Sequence, residues 1–448
     1  MCPCWPPGRS TGSGCGNWPR GPATRAGRGA GTENLESAHV PATQTSVLLS
    51  TELPDSRFLA EVPGADWLSA VAPLLPASVE RPWVWVSPQA DAAPAVLGWG
   101  EAARFSASGH QGVQHAWQEF SRWARQVGAD PLALGSFPFS RRQQGDLVVP
   151  AVTVLRRAPG RPTEVIAAPG TAMPIPSPIA PAASLTLTET PRPGAEQAWL
   201  RAVQAAIGSL TLDSRIQKVV LARAVELSAS RPVRQLAVAA ALAARFPGCW
   251  TYAHDGLVGA TPELLVDLRG GRFRCRVLAG TRKPAWSEEL LSDPKEQREH
   301  ALAVASVTSA LAGDGIEPLV DGPFLLKLPN VTHLATDITA EVGGRASAAR
   351  IVDDLHPTAA VCGTPREEAY RIIGRVEDLD RGRFSGPVGW MSADGSGQWG
   401  IGLRCGQFAP GSRQVRVFAG AGIMPSSDPA KEWLETGAKM EAFLSVLN

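Results

Sequence analysis

The chain has 448 residues, 44% of them hydrophobic and 19% charged, with a formal net charge of +1. That balance is ordinary for a globular protein and argues against binding to nucleic acid or to an anionic membrane surface. No apolar run reaches the roughly 18 residues needed to span a bilayer, and no apolar core of a secretory signal is present, so a cytoplasmic location is expected.

Residues 1–44 are rich in Gly, Pro, Arg, Ser and Thr without a hydrophobic period. Such a segment buries too little apolar surface to offset its ordering entropy, so it is expected to be disordered. It also fits translation from a start codon upstream of the native one. Cys2, Cys4 and Cys15 fall in this segment. The other cysteines, Cys249, Cys275, Cys362 and Cys405, are far apart among apolar neighbours. None has zinc-type spacing to a second Cys or His, and buried free thiols are expected.

Strands are expected at Pro82–Pro88, Ala95–Phe105 and Asp146–Leu155. Gln114–Val127 carries Trp117, Phe120 and Trp123 at helical spacing. Residues 169–193 are Pro-rich and polar, as in a linker or long surface loop. After them, Ala195–Ile207 reads as a helix and Lys218–Ser228 as a strand. Leu257–Asp267 and Phe273–Ala279 read as two strands flanking a Gly-Gly turn at 270–271. Long helices are expected at Asp293–Leu311 and Asp428–Leu447. The resulting division is a tail (1–44), an N-terminal part of the fold (45–194) and a catalytic region (195–448).

The last two helices share a start. One opens Ser292-Asp293-Pro294-Lys295-Glu296 with Glu299 following. The other opens Ser427-Asp428-Pro429-Ala430-Lys431-Glu432 with Glu435 following. Asp at the N-cap and Pro at the first helical position form a strong helix start. In each helix the two glutamates are three apart and share a face. Two such pairs could hold a hard cation such as Mg²⁺, with water and substrate completing its shell. Paired glutamates also occur as solvated helix starts, favoured by the macrodipole.

Other residues are ambiguous in isolation. Lys218 opens an apolar strand. Near apolar walls such a lysine can serve as a general base, and at a strand end it can equally snorkel to solvent. Glu263, between Pro262 and Leu264, could be desolvated and held protonated, or could be a surface residue beside a turn. Gly420-Ala421-Gly422 could bring backbone N–H groups to an anion or simply make a tight turn. Arg404 interrupts an apolar strand and needs a partner, either a ligand carboxylate or a structural one. His300, His333 and His356 lack zinc-triad spacing.

Eight segments taken in order resemble the chorismate-utilising enzymes, the family of isochorismate, salicylate, anthranilate and aminodeoxychorismate synthases. They are KVVLAR (218–223), GATPELL (259–265), LAGT (278–281), SDPKEQREH (292–300), NVTHL (330–334), HPTAAVCGTP (356–365), RGRFSGPVGWM (381–391) and FAGAGIMPSSDPAKEWLET (418–436). The resemblance is strong over residues 195–446 and loose over 90–160. It implies one large α+β domain, an α/β sandwich in which antiparallel sheets pack together with helices outside.

The resemblance also implies a site. Glu299 and Glu435 would bind Mg²⁺ directly, with Glu296 and Glu432 supporting through water. Arg404 and the backbone of Gly420 and Gly422 would clamp the enolpyruvyl carboxylate of chorismate. Lys439 would lie near the ring carboxylate. Gly280, Thr281, His333, Thr358, Phe384 and Leu403 would contact substrate. Lys218 resembles the base that activates water, and Glu263 the acid that protonates the departing hydroxyl.

Ammonia-using relatives carry Gln where this chain has Lys218, and aminodeoxychorismate synthases carry a nucleophilic Lys where it has Ala279. Water is therefore the expected nucleophile, and no glutamine amidotransferase partner is expected. Phe384 matches isochorismate synthases, whereas Leu403 departs from their usual Ile. The isochorismate branch is favoured over salicylate formation, with a non-catalytic chorismate-binding subunit as the remaining alternative. Family precedent implies a monomer.

Overall fold

The computed structural model describes residues 49–52, 59, 62, 64–88, 94–127, 130–172, 185–190, 192–282, 284–329, 331–343, 346–409, 411 and 413–447. The segment 1–44 and much of the stretch 169–193 lie outside the described residues. Within that stretch, Leu187–Glu189 is a short strand against Ala229–Leu227, not part of a loop.

The strand Gly145–Arg156 connects two curled layers. Its whole length pairs with Ala95–Ala107, while its first residues also pair with Leu132–Ser136 and its last with Thr163–Ala167. One layer continues through Trp83–Val86, Trp250–His254, Leu257–Thr261, Cys405–Phe408, Gln414–Ile423 and Lys218–Ala229. The other continues from Leu132–Ser136 through Pro387–Ser392, Gly397–Ile401, Leu264–Arg269, Arg272–Arg282, Thr332–Glu341 and Leu319–Lys327. All of these pairings are antiparallel, as are those of Leu49–Glu52 and Gly363–Thr364.

An interior rich in aromatic side chains, among them Trp83, Trp85, Trp250, Tyr252 and Trp390, fills the space shared by strands of the two layers. Helices cover the outer faces. Gly64–Val71 and Gln235–Arg245 pack on the first layer. Gly112–Val127, Pro294–Gly313 and Ala348–Leu355 pack on the second. Ala195–Leu212 and Arg366–Val376 cover the strands that carry Val219 and Ala421. Burying each large apolar side chain is worth about 1.5–3 kcal/mol, so these faces supply most of the drive for assembly. The described cysteines are buried and free, as expected.

One expected strand divides. Leu257–Asp267 is two strands, Leu257–Thr261 in the first layer and Leu264–Arg269 in the second. Proline lacks the N–H needed to continue a ladder, so Pro262 marks the crossing. Glu263 therefore sits at a corner between layers, 4% exposed, and is not the surface residue that its turn-like context also allowed.

Candidate active site

The two helix starts form as the sequence implies. The Asp293 side chain accepts from the N–H groups of Lys295 and Glu296, and that of Asp428 from Ala430 and Lys431. These caps satisfy helix-end donors and fix the turns that carry the four glutamates.

An open cavity, with about 690 Å³ of empty space counting the solvent at its mouth, lies beside the first of these helix starts. Its lining includes Glu263, Gly280, Thr281, Glu299, His333 and Phe384, together with Leu403, Arg404, Gly420, Gly422 and Lys439. Eleven of the sixteen expected site residues thus converge on one cavity. Lys218, Glu296, Glu432 and Glu435 stand behind this lining, joined to it or to one another by contacts given below. Thr358 does not reach the cavity. Its carbonyl accepts from the N–H groups of Val361 and Cys362, and its Oγ1 is buried without a partner among the described residues.

Glu263 meets the requirement for an acid. Burial pushes its carboxyl up to about 8, despite the opposing charges of Lys218 and Lys439, so it carries a proton at neutral pH. Lys218, fully buried, ion-pairs with Glu299 at 2.9 Å. Gly422 makes that pair possible. A Cβ there would fall 2.2 Å from Glu299 Oε1 and 2.9 Å from Lys218 Cε. The second glycine of Gly420-Ala421-Gly422 thus provides room as well as backbone.

The four glutamates are gathered and their charges interact. Burial, then the charges of Glu299 and Glu435, raises Glu296 to about 7. Burial and Glu435 also raise Glu432. Glu299 is held below the usual range because Lys218, Lys439 and Lys295 outweigh its burial. Glu296 accepts from the Thr281 N–H at 3.2 Å, and Gly280, at φ +81°, leaves space for its carboxylate. Lys295 pairs with Glu432 at 2.9 Å, and Lys439 with Glu435 at 2.6 Å. An all-oxygen donor set of mutually repelling carboxylates, Glu296 and Glu432 buried and Glu299 and Glu435 partly so, suits a hard divalent cation.

Asp146, His254 and Asp255 also approach one another among the described residues. Arg104 and Arg383 already pair with both of these aspartates, so the group is an ion-pair network.

Arg404 and His333 form another part of the wall. A guanidinium N–H of Arg404 donates to His333 Nε2 at 2.8 Å, while His333 Nδ1 faces the Gly280 carbonyl at 3.1 Å. Nδ1 therefore carries the hydrogen and the ring is neutral. Burial and then Arg404 hold His333 well below its ordinary value. Burial lowers Arg404 to about 10, and its second contact is the Lys439 carbonyl at 3.1 Å. Among the described residues no carboxylate closes this fork, which leaves its remaining donors for a ligand. Arg404 and the cavity residue Ser385 both have left-handed backbones, at φ 49° and 64°, a strain concentrated at the site. Phe384 stacks on Phe418 with centroids 5.0 Å apart and gives the cavity an apolar floor.

Sequence reasoning missed two supports. The buried Arg381–Glu377 pair holds the wall: Arg381 donates to the Val220 and Val361 carbonyls, and Glu377 accepts from the Ala222 N–H. Arg223 stacks over Trp433 at 3.6 Å and donates to Thr436 Oγ1, next to Glu435. Each is an arginine inside one of the eight motifs, and that position was the available signal.

The chain belongs to the chorismate binding enzyme family, whose model matches residues 176–448. It is 37% identical over 249 residues to the vibriobactin-specific isochorismate synthase of Vibrio cholerae, a match covering 52% of this chain and 62% of that protein. It is 33% identical over 265 residues to the isochorismate synthase EntC of Escherichia coli strain K12, covering 56% and 67%. The structure of MenF, the menaquinone-specific isochorismate synthase from Escherichia coli, superposes with a TM-score of 0.74 at 26% identity, covering 92% of this chain and 97% of that one.

Proposed function

We propose that this chain is an isochorismate synthase, an isomerase that adds water to chorismate at C2 and expels the C4 hydroxyl. The observation that most supports this reading is Glu263, a carboxyl that holds its proton to about pH 8 in the wall of a cavity shared with Glu299, the partner of Lys218. A departing hydroxide needs a proton donor, and water needs a base.

In this reading Glu263 donates to the C4 oxygen as the C4–O bond breaks. Lys218, acting as the base, takes a proton from water as the C2–O bond forms. Arg404 and the Gly420–Gly422 backbone bind the enolpyruvyl carboxylate, and Lys439 lies near the ring carboxylate. Phe384 and Leu403 exclude bulk water from the ring. Glu299 and Glu435 would hold Mg²⁺, with Glu296 and Glu432 supporting them through water. The ion would supply positive charge for the ring carboxylate as negative charge shifts through the ring.

The nucleophile is water, so the reading assigns no glutamine amidotransferase subunit. Turnover by the purified chain with only chorismate and Mg²⁺ tests it. Isochorismate as the product supports the reading. Salicylate would assign the neighbouring branch, and an inert chain would leave a binding subunit.

A further inference from the structure

Lys295 lies at the second helical position of Pro294–Gly313, yet its ammonium reaches the other carboxylate helix, 2.9 Å from Glu432 Oε1. Lys218 and Lys439, the other lysines paired to these glutamates, both have chemical roles in the proposed reaction. Lys295 is absent from the cavity lining. Its ammonium is committed to a carboxylate of the opposite helix, so its charge acts on the glutamate cluster.

We infer that Lys295 is a fixed counter-ion that ties the two helix starts together and weakens divalent-metal binding by the protein alone. The inference rests on reading Glu296, Glu299, Glu432 and Glu435 as the metal site. Buried carboxylates that repel one another need positive charge when no metal is present. The Lys295 ammonium supplies it from one helix to the other and spans the joint on which ligand geometry depends. The same charge opposes an arriving dication, because like charges a few ångströms apart in a partly desolvated site repel strongly. The ion would then bind tightly only with the dianionic substrate, whose two carboxylates offset the excess positive charge. The Lys295 side chain keeps 28% of its exposure, so solvent moderates the effect.

The probe is Mn²⁺ alone, titrated against the substrate-free protein and followed by the electron paramagnetic resonance signal of the free ion. The expected result is that Lys295→Met binds Mn²⁺ about tenfold more tightly than wild type, while Lys295→Arg, which keeps the charge, stays near wild type. A purely structural lysine would give the opposite sign, because loosening the joint weakens a metal site. Should Lys295→Met fail to fold by circular dichroism, Lys295→Gln repeats the test. An unchanged or weaker affinity in the neutral variant overturns the inference. Mn²⁺ binding that Glu435→Gln leaves untouched would instead overturn the metal-site reading itself.

Discussion

Lys218 Nζ and Glu299 Oε1 lie 2.9 Å apart, which joins the proposed base directly to a proposed metal ligand. The contact passes over Gly422, where any side chain would occupy the same space. A carboxylate released from Lys218 is free to ligate, and a lysine released from Glu299 is free to meet water. Site assembly and base activation thus share one ion pair.

Substitution of Lys218 by Ala should lower kcat by ~10²–10⁴-fold, the usual cost of losing a positioned base. Chorismate should still bind, because Arg404 and Lys439 remain. Kinetics with binding measured by tryptophan fluorescence checks both parts. Near wild-type turnover would remove the reason for preferring water over ammonia.

Glu263 carries a pH signature. The folded protein holds this proton more tightly than the unfolded chain, up to about 8 against an ordinary 4.5. Between those values the folded state binds more protons, so this group costs stability as pH rises. Glu263→Gln removes that cost, and the melting temperature of the variant relative to wild type should climb from pH 4.5 to pH 8. Its kcat should fall by ~10²–10⁴-fold in both reaction directions. In the wild type, kcat/KM should decline above about pH 8 as the acid loses its proton. A flat melting difference across this range would contradict the buried, protonated carboxyl.

Gly422→Ala should abolish turnover while leaving the fold intact. The added methyl would meet Glu299 Oε1 at 2.2 Å and Lys218 Cε at 2.9 Å. Circular dichroism should remain native, and metal affinity should fall because Glu299 is displaced. A fully active variant would show that the Lys218–Glu299 contact is dispensable.

Excess chelator should abolish activity, and Mg²⁺ should restore it. Glu435→Gln should weaken metal-dependent substrate binding severely, since an amide oxygen is a poorer ligand than a carboxylate. Full activity in chelator would remove the metal from the mechanism.

Much of this organisation is legible in the sequence because it is local. The two Asp-Pro helix starts and the Gly-Gly turn each depend on neighbouring residues. The eight motifs carried the rest of the site. The crossing at Pro262–Glu263 separates two apolar runs, Leu257–Ala260 and Leu264–Val266, that are close enough to read as one strand with a bend. Gln235–Arg245, rich in alanine, offers little contrast between faces, and this helix went unread. The Lys218–Glu299 and Lys295–Glu432 pairs were illegible for another reason: Lys295 and Glu432, for example, are 137 residues apart, and only the packing of two helices brings them together.

The central claim is that water attacks C2 while the C4 hydroxyl leaves. Turnover of chorismate in water enriched in oxygen-18, stopped early and analysed by mass spectrometry, tests it most directly. The account predicts isochorismate with one heavy oxygen, located on the C2 hydroxyl. Isochorismate that retains only the original oxygen would mean that the hydroxyl migrates within the substrate, contradicting the roles given to Lys218 and Glu263.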